Sequence, residues 1–174
     1  MRNIEPKIDS SQPNIELSFS NLQRRRQLDL AYIRQITEDL VIRLLKLDRV
    51  EIGVRFVSAR RMAQVNWRFL QHKGPTDVIT FDYGSSSNSR IIHGDIFICV
   101  EIAELQSVEF GTSLAHEIVR YIVHGILHLL SYDDIQTEKR RRMKREENRL
   151  VRSLARTWDT TLIERPSRNL HGTS

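Results

Sequence analysis

Cysteine is almost missing from this sequence of 174 residues, in which Cys99 is the single example. One thiol cannot form an internal disulfide, and a structural zinc site, which is usually rich in cysteine, is disfavoured as well. Long apolar runs are also missing, because no segment approaches the ~20 residues that cross a bilayer. The opening segment MRNIEPKIDSSQPN lacks the continuous apolar stretch of a signal peptide. These absences predict a cytoplasmic protein with no membrane partner.

The sequence contains enough apolar material for one domain. Hydrophobic residues make up 40% of the chain, and a domain of this size buries roughly 70% of the surface that its unfolded chain exposes. Residues 15–157 are therefore predicted to form a single domain. Residues 1–14 and 158–174 have too little apolar content to pack, so they are predicted to be flexible tails.

Apolar periodicity predicts that strands and helices alternate along the chain. The predicted strands cover residues 15–20, 50–57, 77–81 and 95–100, and the predicted helices cover 27–47, 58–70, 101–108, 112–130 and 136–156. Ser58 is the predicted N-cap of the second helix. This order predicts an α/β domain with a small mixed sheet of about four strands, packed with about five helices.

The segment HGILHLLSYDD, residues 124–134, concentrates side chains that bind metal ions. His124 and His128 are four residues apart, so on a helix both side chains leave the same face. Asp134 can join them only if the chain turns within LLSYD. Two imidazoles and one carboxylate leave a coordination position open for water, as catalytic sites do. The spacing predicts one divalent metal ion, held by these three residues at the end of the HGILH helix.

A simpler interpretation treats the two histidines as ordinary helix residues and Asp133 or Asp134 as the N-cap of the next helix. The preceding run LAHEIVRYIV is strongly apolar, so two polar rings at its end would be partly buried and would need partners. This context favours the metal site. A metalloprotease of the H-E-x-x-H type is disfavoured, because Gly125 stands where that motif carries its glutamate.

Basic residues are concentrated directly after this motif. Residues 138–152 carry eight basic and three acidic side chains, a surplus that equals the net charge of +5 for the whole chain. Such a segment attracts phosphate backbones. Two interpretations stay open: an RNA-binding surface, or the solvated face of a helix whose inner face holds Ile135, Met143, Leu150 and Leu154. The RNA-binding candidates are Arg140, Arg141, Lys144 and Arg145.

Three blocks of the sequence resemble the YbeY family of metal-dependent endoribonucleases, which act in ribosomal RNA maturation. HGILHLLSYDD is similar to the family signature H-G-x-L-H-L-x-G-Y-D-H, VNWRFLQHKGPTDVITFDY resembles its N-(x)n-P-T-D-V-L-S-F segment, and HGDIFI resembles its G-D-I-x-I strand. The blocks occur in the expected order and, with the elements between them, cover roughly residues 15–155. The resemblance implies a single-strand-specific endoribonuclease that carries one divalent ion, most simply zinc. Its implied partners are ribosomal RNA and the small ribosomal subunit.

The sequence departs from the family pattern at three positions. Asp134 replaces the third metal histidine, Ser131 replaces a glycine, and Leu70 stands where the family usually carries an arginine, with Arg68 two positions earlier. A carboxylate ligand makes metal-bound water less acidic and favours harder ions. These departures support a second hypothesis, in which the protein is a ribosome-associated RNA-binding assembly factor with weak or no nuclease activity.

Three residues are candidates for catalysis: His124, Glu117 and Asp133. Glu117 lies two helical turns before His124, where the family often has glutamate, and is predicted either to orient a ligand histidine or to lie near the scissile group. Asp133 is predicted to be a helix N-cap, an acceptor that supports a metal ligand, or a general base. Three aromatic residues that could stack on unpaired bases, Trp67, Phe69 and Tyr83, are predicted to pack in the core instead.

Overall fold

The computed structural model describes residues 13–86 and 90–165. Its strands are β1 (Asn14–Asn21), β2 (Arg49–Val57), β3 (Val78–Asp82) and β4 (Ile91–Cys99). Its helices are α1 (Leu30–Asp39, extended by a π-helical turn over Leu40–Leu44), α2 (Ala59–Leu70), α3 (Val100–Phe110), α4 (Leu114–Leu129) and α5 (Thr137–Thr157). These elements confirm the predicted order. Ser58 is the N-cap of α2, where its hydroxyl oxygen accepts the backbone N–H of Arg61.

The four strands form one mixed sheet in the order β1-β2-β4-β3. Strands β1, β2 and β4 run parallel, whereas β3 is antiparallel to β4. Parallel neighbours require crossover connections, which α1 supplies between β1 and β2. The prediction of an α/β domain with a small mixed sheet is confirmed. Within the described residues, no helix is long and apolar enough to span a membrane.

Helix α4 lies directly against the centre of the sheet. Twelve of its sixteen residues are buried, and it packs in the main core with α1, α5 and one face of the sheet. A close approach occurs at Gly125, where an added Cβ would lie 2.8 Å from Cγ2 of Ile96 on β4. A side chain at this position would push the helix away from the sheet. The glycine of HGILH therefore fixes where the two histidines stand relative to the strands.

The prediction of a flexible C-terminal tail is wrong for residues 158–165, the part of this tail that the structure describes. Trp158 packs edge-on against Tyr32, with ring centroids 5.6 Å apart, and its Nε1–H donates to Asp39 at 2.9 Å. Ile163 in a short 3-10 helix is fully buried. A few well-placed apolar side chains are enough to hold this segment against α1. Residues 1–12 and 166–174 of the predicted tails lie outside the described residues.

Two further expectations about burial are wrong. Ile135 was expected on the inner face of the last helix, but it precedes α5 and is 81% exposed. The aromatic residues expected in the core are also exposed, namely Trp67 (52%), Phe69 (58%) and Tyr83 (53%). Helix α2 covers a small second core that contains Met62 and Val65, and these aromatic rings lie outside it.

Candidate metal centre

Helix α4 ends in a turn that sends the chain back toward its last histidine. The N–H of Ser131 donates to the carbonyl of His128 at 2.9 Å, and the N–H of Tyr132 donates to the carbonyl of Leu127 at 3.0 Å. Ser131 has φ +65°, in the left-handed region. These two bonds and this backbone conformation define a Schellman motif, which usually uses glycine. The turn occurs within LLSYD, where the metal hypothesis required it.

Replacing Ser131 by glycine is expected to stabilise the protein. Glycine adopts positive φ without steric cost, so the free energy of unfolding should rise by about 0.5–1 kcal/mol, even after the extra entropy of the unfolded chain. Urea denaturation of both proteins measures the difference. Ser153→Gly is the matched control, because Ser153 lies inside α5, where glycine should destabilise by about 0.5 kcal/mol. Equal destabilisation by both changes would show that the turn is not strained.

The turn brings a carboxylate to the two imidazoles. The Nε2 atoms of His124 and His128 lie 3.1 Å apart, and Oδ2 of Asp134 is 3.9 Å from each of them. Ligand atoms that share a tetrahedral zinc ion at about 2.1 Å lie about 3.4 Å from one another. Among the described residues, these three are the group of His, Cys, Asp and Glu side chains close enough to share an ion. The donor set and its spacing fit a divalent metal.

The Nδ1 atom of each histidine has a hydrogen-bond acceptor. Nδ1 of His128 lies 3.0 Å from the carbonyl oxygen of Tyr132, and Nδ1 of His124 lies 2.9 Å from Oε2 of Glu147. Each acceptor favours the tautomer with the proton on Nδ1, which leaves the Nε2 lone pair free for a metal. Burial and the neighbouring His124 hold the pKa of His128 below its ordinary value. The lowered pKa favours the neutral ring of His128 that metal binding needs.

Glu147 of α5 is the functional residue that the sequence interpretation missed. It is 4% exposed, and its Oε1 accepts from Nη1 of Arg120 at 2.6 Å while Oε2 faces His124. Burial opposes ionisation, but the hydrogen bonds from His124 and Arg120 outweigh it, so the pKa of Glu147 lies below its ordinary value. The signal was its spacing, since it falls on the same helical face as the buried residues Met143, Leu150 and Leu154. A glutamate on an apolar face needs a buried partner.

Glu117 is buried on α4, but it does not orient a ligand histidine. Nδ1 of His124 is hydrogen-bonded to Glu147 instead. Oε1 of Glu117 instead accepts the hydroxyl of Thr112 at 2.6 Å, and Oε2 lies 3.7 Å from Nε of Arg120. Glu117 and His124 border the same cavity, of about 370 Å³. The other prediction for Glu117, a place near the scissile group, stays a prediction.

Asp133 is directed away from the cluster of three. Its Oδ1 accepts the N–H of Ile135 at 2.9 Å, and Oδ2 accepts from Nζ of Lys139 at 3.1 Å. These two bonds lower the pKa of its carboxyl group. Asp133 therefore braces the segment that leads to α5, whose N-cap is Gln136. Its predicted role in catalysis is not supported by these contacts and stays a prediction.

A second cavity, of about 330 Å³, borders both histidines on the side of β3. Leu70, at the end of α2, lines this cavity and is 46% exposed. The position where the family usually carries an arginine thus faces the candidate metal centre, but it offers an apolar side chain. Arg68 does not line the cavity, and its guanidinium lies over the ring of Phe69 instead, 5.5 Å from the centroid.

The four predicted RNA-binding residues lie on the exposed side of α5, with different contacts. Arg140 donates from Nε to the carbonyl oxygen of Asp134 at 2.7 Å, so it supports the backbone of a candidate ligand. Arg141 pairs with the exposed Glu138 at 3.1 Å. Lys144 borders the same cavity as His124. Arg145 is exposed as well.

Two comparisons of the sequence with known proteins agree on one family. A family model described as Endoribonuclease YbeY matches residues 18–155. A protein of Chlorobium luteolum named Endoribonuclease YbeY is 33% identical over 142 residues, which are 82% of this chain and 100% of that protein. One of the same name from Aquifex aeolicus is 31% identical over 148 residues, 80% of this chain and 99% of the relative. The solution structure of TM1509 from Thermotoga maritima has a similar fold, with a TM-score of 0.61 and 22% identity over 89% of this chain and 98% of that one.

Proposed function

Because this chain belongs to the YbeY family of endoribonucleases, we propose that it cleaves single-stranded RNA with the help of a divalent metal ion. The observation that carries this proposal is the convergence of Nε2 of His124, Nε2 of His128 and Oδ2 of Asp134. Three protein ligands leave room for a water or a phosphate oxygen, as catalytic sites require. When bound, the ion supplies a Lewis acid for the phosphate and acidifies a water molecule.

The protein side chains keep the ligands ready for the ion. Glu147 and the carbonyl of Tyr132 fix the two rings in the tautomer that presents Nε2. Hydrogen bonds from His124 and Arg120 hold the pKa of Glu147 below its ordinary value, and the negative charge of Glu147 increases the basicity of His124 as a ligand. We propose zinc as the ion, although Asp134 shifts the preference toward harder ions than three histidines would.

The RNA strand is proposed to pass over His124, which borders both cavities. On one side the lining holds Asp77, Glu117 and Glu147 besides Arg120 and Lys144. Arg120 is already paired with Glu147, so the exposed ammonium group of Lys144 is the cation proposed to contact a phosphate there. The other side offers Leu70 and, nearby on α2, the exposed ring of Phe69, which packs edge-on against Phe81. Exposed apolar and aromatic groups suit unpaired bases, which are accessible only in single strands.

We further propose that the natural substrate is ribosomal RNA, with the small ribosomal subunit as partner and the cytoplasm as location. The support is the family to which the chain belongs and the single cysteine of its sequence. A second candidate function is an RNA-binding assembly factor with weak nuclease activity. Leu70 favours it, because the cavity beside the histidines gains no positive charge from this position.

Metal-dependent cleavage of labelled RNA tests the proposal. The purified protein is stripped with a chelator, reloaded with zinc, manganese or iron, and given a labelled single strand or the same strand annealed to its complement. We expect at least one metal to restore cutting of the single strand, about 10²-fold faster than in His124→Ala. If wild type and His124→Ala cut equally slowly with every metal while both bind the RNA, the assembly-factor function holds instead.

A further inference from the structure

A third cavity, of about 510 Å³, borders the turn that carries Asp134 but not the two histidines. Ser131, Tyr132 and Asp133 form one wall of it. Its remaining lining divides into two kinds of side chain: three leucines (Leu45, Leu47 and Leu130) and three cations (Arg90, Lys139 and Arg142). The cavity is therefore both apolar and positively charged, and nothing in the proposed catalytic role uses it.

The charges around this cavity are not balanced. Lys139 pairs with Asp133 at 3.1 Å, and Arg90 reaches Asp48 at 3.4 Å, where both side chains are at least half exposed. Arg142 forms no ion pair within the part of the chain that the structure describes, and its guanidinium lies 5.5 Å from the centroid of the Tyr132 ring. Three cations against the single carboxylate of Asp133 leave the lining with a positive surplus. A cavity with this balance attracts anions.

The shape and chemistry of the lining fit a nucleotide better than a simple anion. The planar fork of an arginine donates two parallel hydrogen bonds to a phosphate. Leu45 and Leu47 and the ring of Tyr132 offer apolar surface that suits a ribose and a base. We infer that this cavity binds one phosphate-bearing nucleotide of the RNA strand, outside the bond that is cut. This inference rests on the proposed function, because it assigns the nucleotide to the same substrate.

Only the turn formed by Ser131, Tyr132 and Asp133 separates this cavity from the candidate metal centre. The carbonyl of Tyr132 accepts from His128 on one side, at 3.0 Å, while the ring of Tyr132 lines the cavity on the other. An RNA strand that leaves the metal centre across Asp134 would next meet Arg142 and Lys139. Occupation of the cavity would thus hold the strand in register with the cutting site.

Arg142→Gln tests this inference, because glutamine removes the charge and keeps much of the side-chain length. Binding of a labelled single-stranded RNA is measured by fluorescence anisotropy in chelator, so that no strand is cut, at several salt concentrations. We expect the dissociation constant to rise about 5- to 10-fold and the slope of its logarithm against the logarithm of salt to fall by about 0.7. Arg142→Lys should keep the slope and lose part of the affinity.

Arg152→Gln is the matched control, because it removes one exposed arginine from the same helix, about 15 Å farther along α5. It should leave affinity and slope unchanged. Equal RNA binding by wild type and Arg142→Gln would overturn the inference. So would Arg142-dependent binding of AMP, inorganic phosphate or a glutamate peptide with no change for RNA. Failure of wild type to cut RNA under any metal would refute the proposed nuclease function instead, and this binding measurement would remain valid.

Discussion

Alanine at position 128 or 134 is expected to lower metal retention by about 10-fold or more, from roughly one ion per chain in the wild type. His128 and Asp134 each contribute one of the three converging atoms, so either change leaves two protein ligands. Elemental analysis of protein freed of loose ions by gel filtration measures the loss. RNA cleavage by the same samples should fall in parallel, because the ion supplies the Lewis acid.

Two further variants make this prediction specific. His93→Ala removes a half-buried histidine of β4 that lies 3.6 Å from Glu51 and is not part of the cluster, so this variant should keep the full metal content. Asp134→His should also retain the ion. It should shift the pH profile of cleavage to lower values, because a third neutral ligand leaves more positive charge on the centre. Full retention of metal by Asp134→Ala would show that the carboxylate is not a ligand.

Glu147→Gln is expected to weaken metal affinity by about 10- to 100-fold. The carboxylate accepts from both His124 and Arg120, whereas an amide has one acceptor oxygen and a donor group. One of the two partners must therefore face a donor, and the tautomer of His124 is no longer fixed. We also expect the free energy of unfolding to fall by about 1–3 kcal/mol, because a buried hydrogen bond to a charged group is lost.

Glu146→Gln is the matched control for this second prediction. Glu146 is adjacent in sequence, but it pairs with Arg149 on the outer side of α5, away from the histidines. Its replacement should leave metal affinity unchanged and cost only a few tenths of a kcal/mol. Metal titrations of the three proteins, followed by a competing chelator dye, give the affinities. If the two glutamine variants bind metal equally well, Glu147 has a structural role alone.

Local spacing explains what could be predicted from the sequence. The two histidines had to share a face once HGILH was helical, and the turn had to fall within LLSYD if Asp134 was to reach them. Both features depend on fewer than a dozen consecutive residues, and the structure has both. The strand and helix order also followed from local periodicity, which is why the α/β prediction is confirmed.

What the sequence could not predict depends on packing between distant elements. The partner of His124 comes from another helix, and only the packing of α5 on α4 shows that Glu147, not Glu117, reaches it. The burial of Ile163 requires a surface on α1 and α4 that no local pattern reports. The rings of Trp67 and Phe69 were predicted to be buried but are exposed. Apolar character alone does not show whether another element covers the face on which a residue lies.

The position of the candidate metal ligands along the chain has a consequence for synthesis. All four strands are complete at Cys99, whereas His124, His128, Asp134 and Glu147 lie in one helical hairpin made afterwards. A nascent chain that has only finished its sheet contains none of the side chains that we propose as ligands for the ion or as their support. The polypeptide therefore completes its candidate site for RNA cleavage only late in translation, after the sheet on which α4 packs has been made.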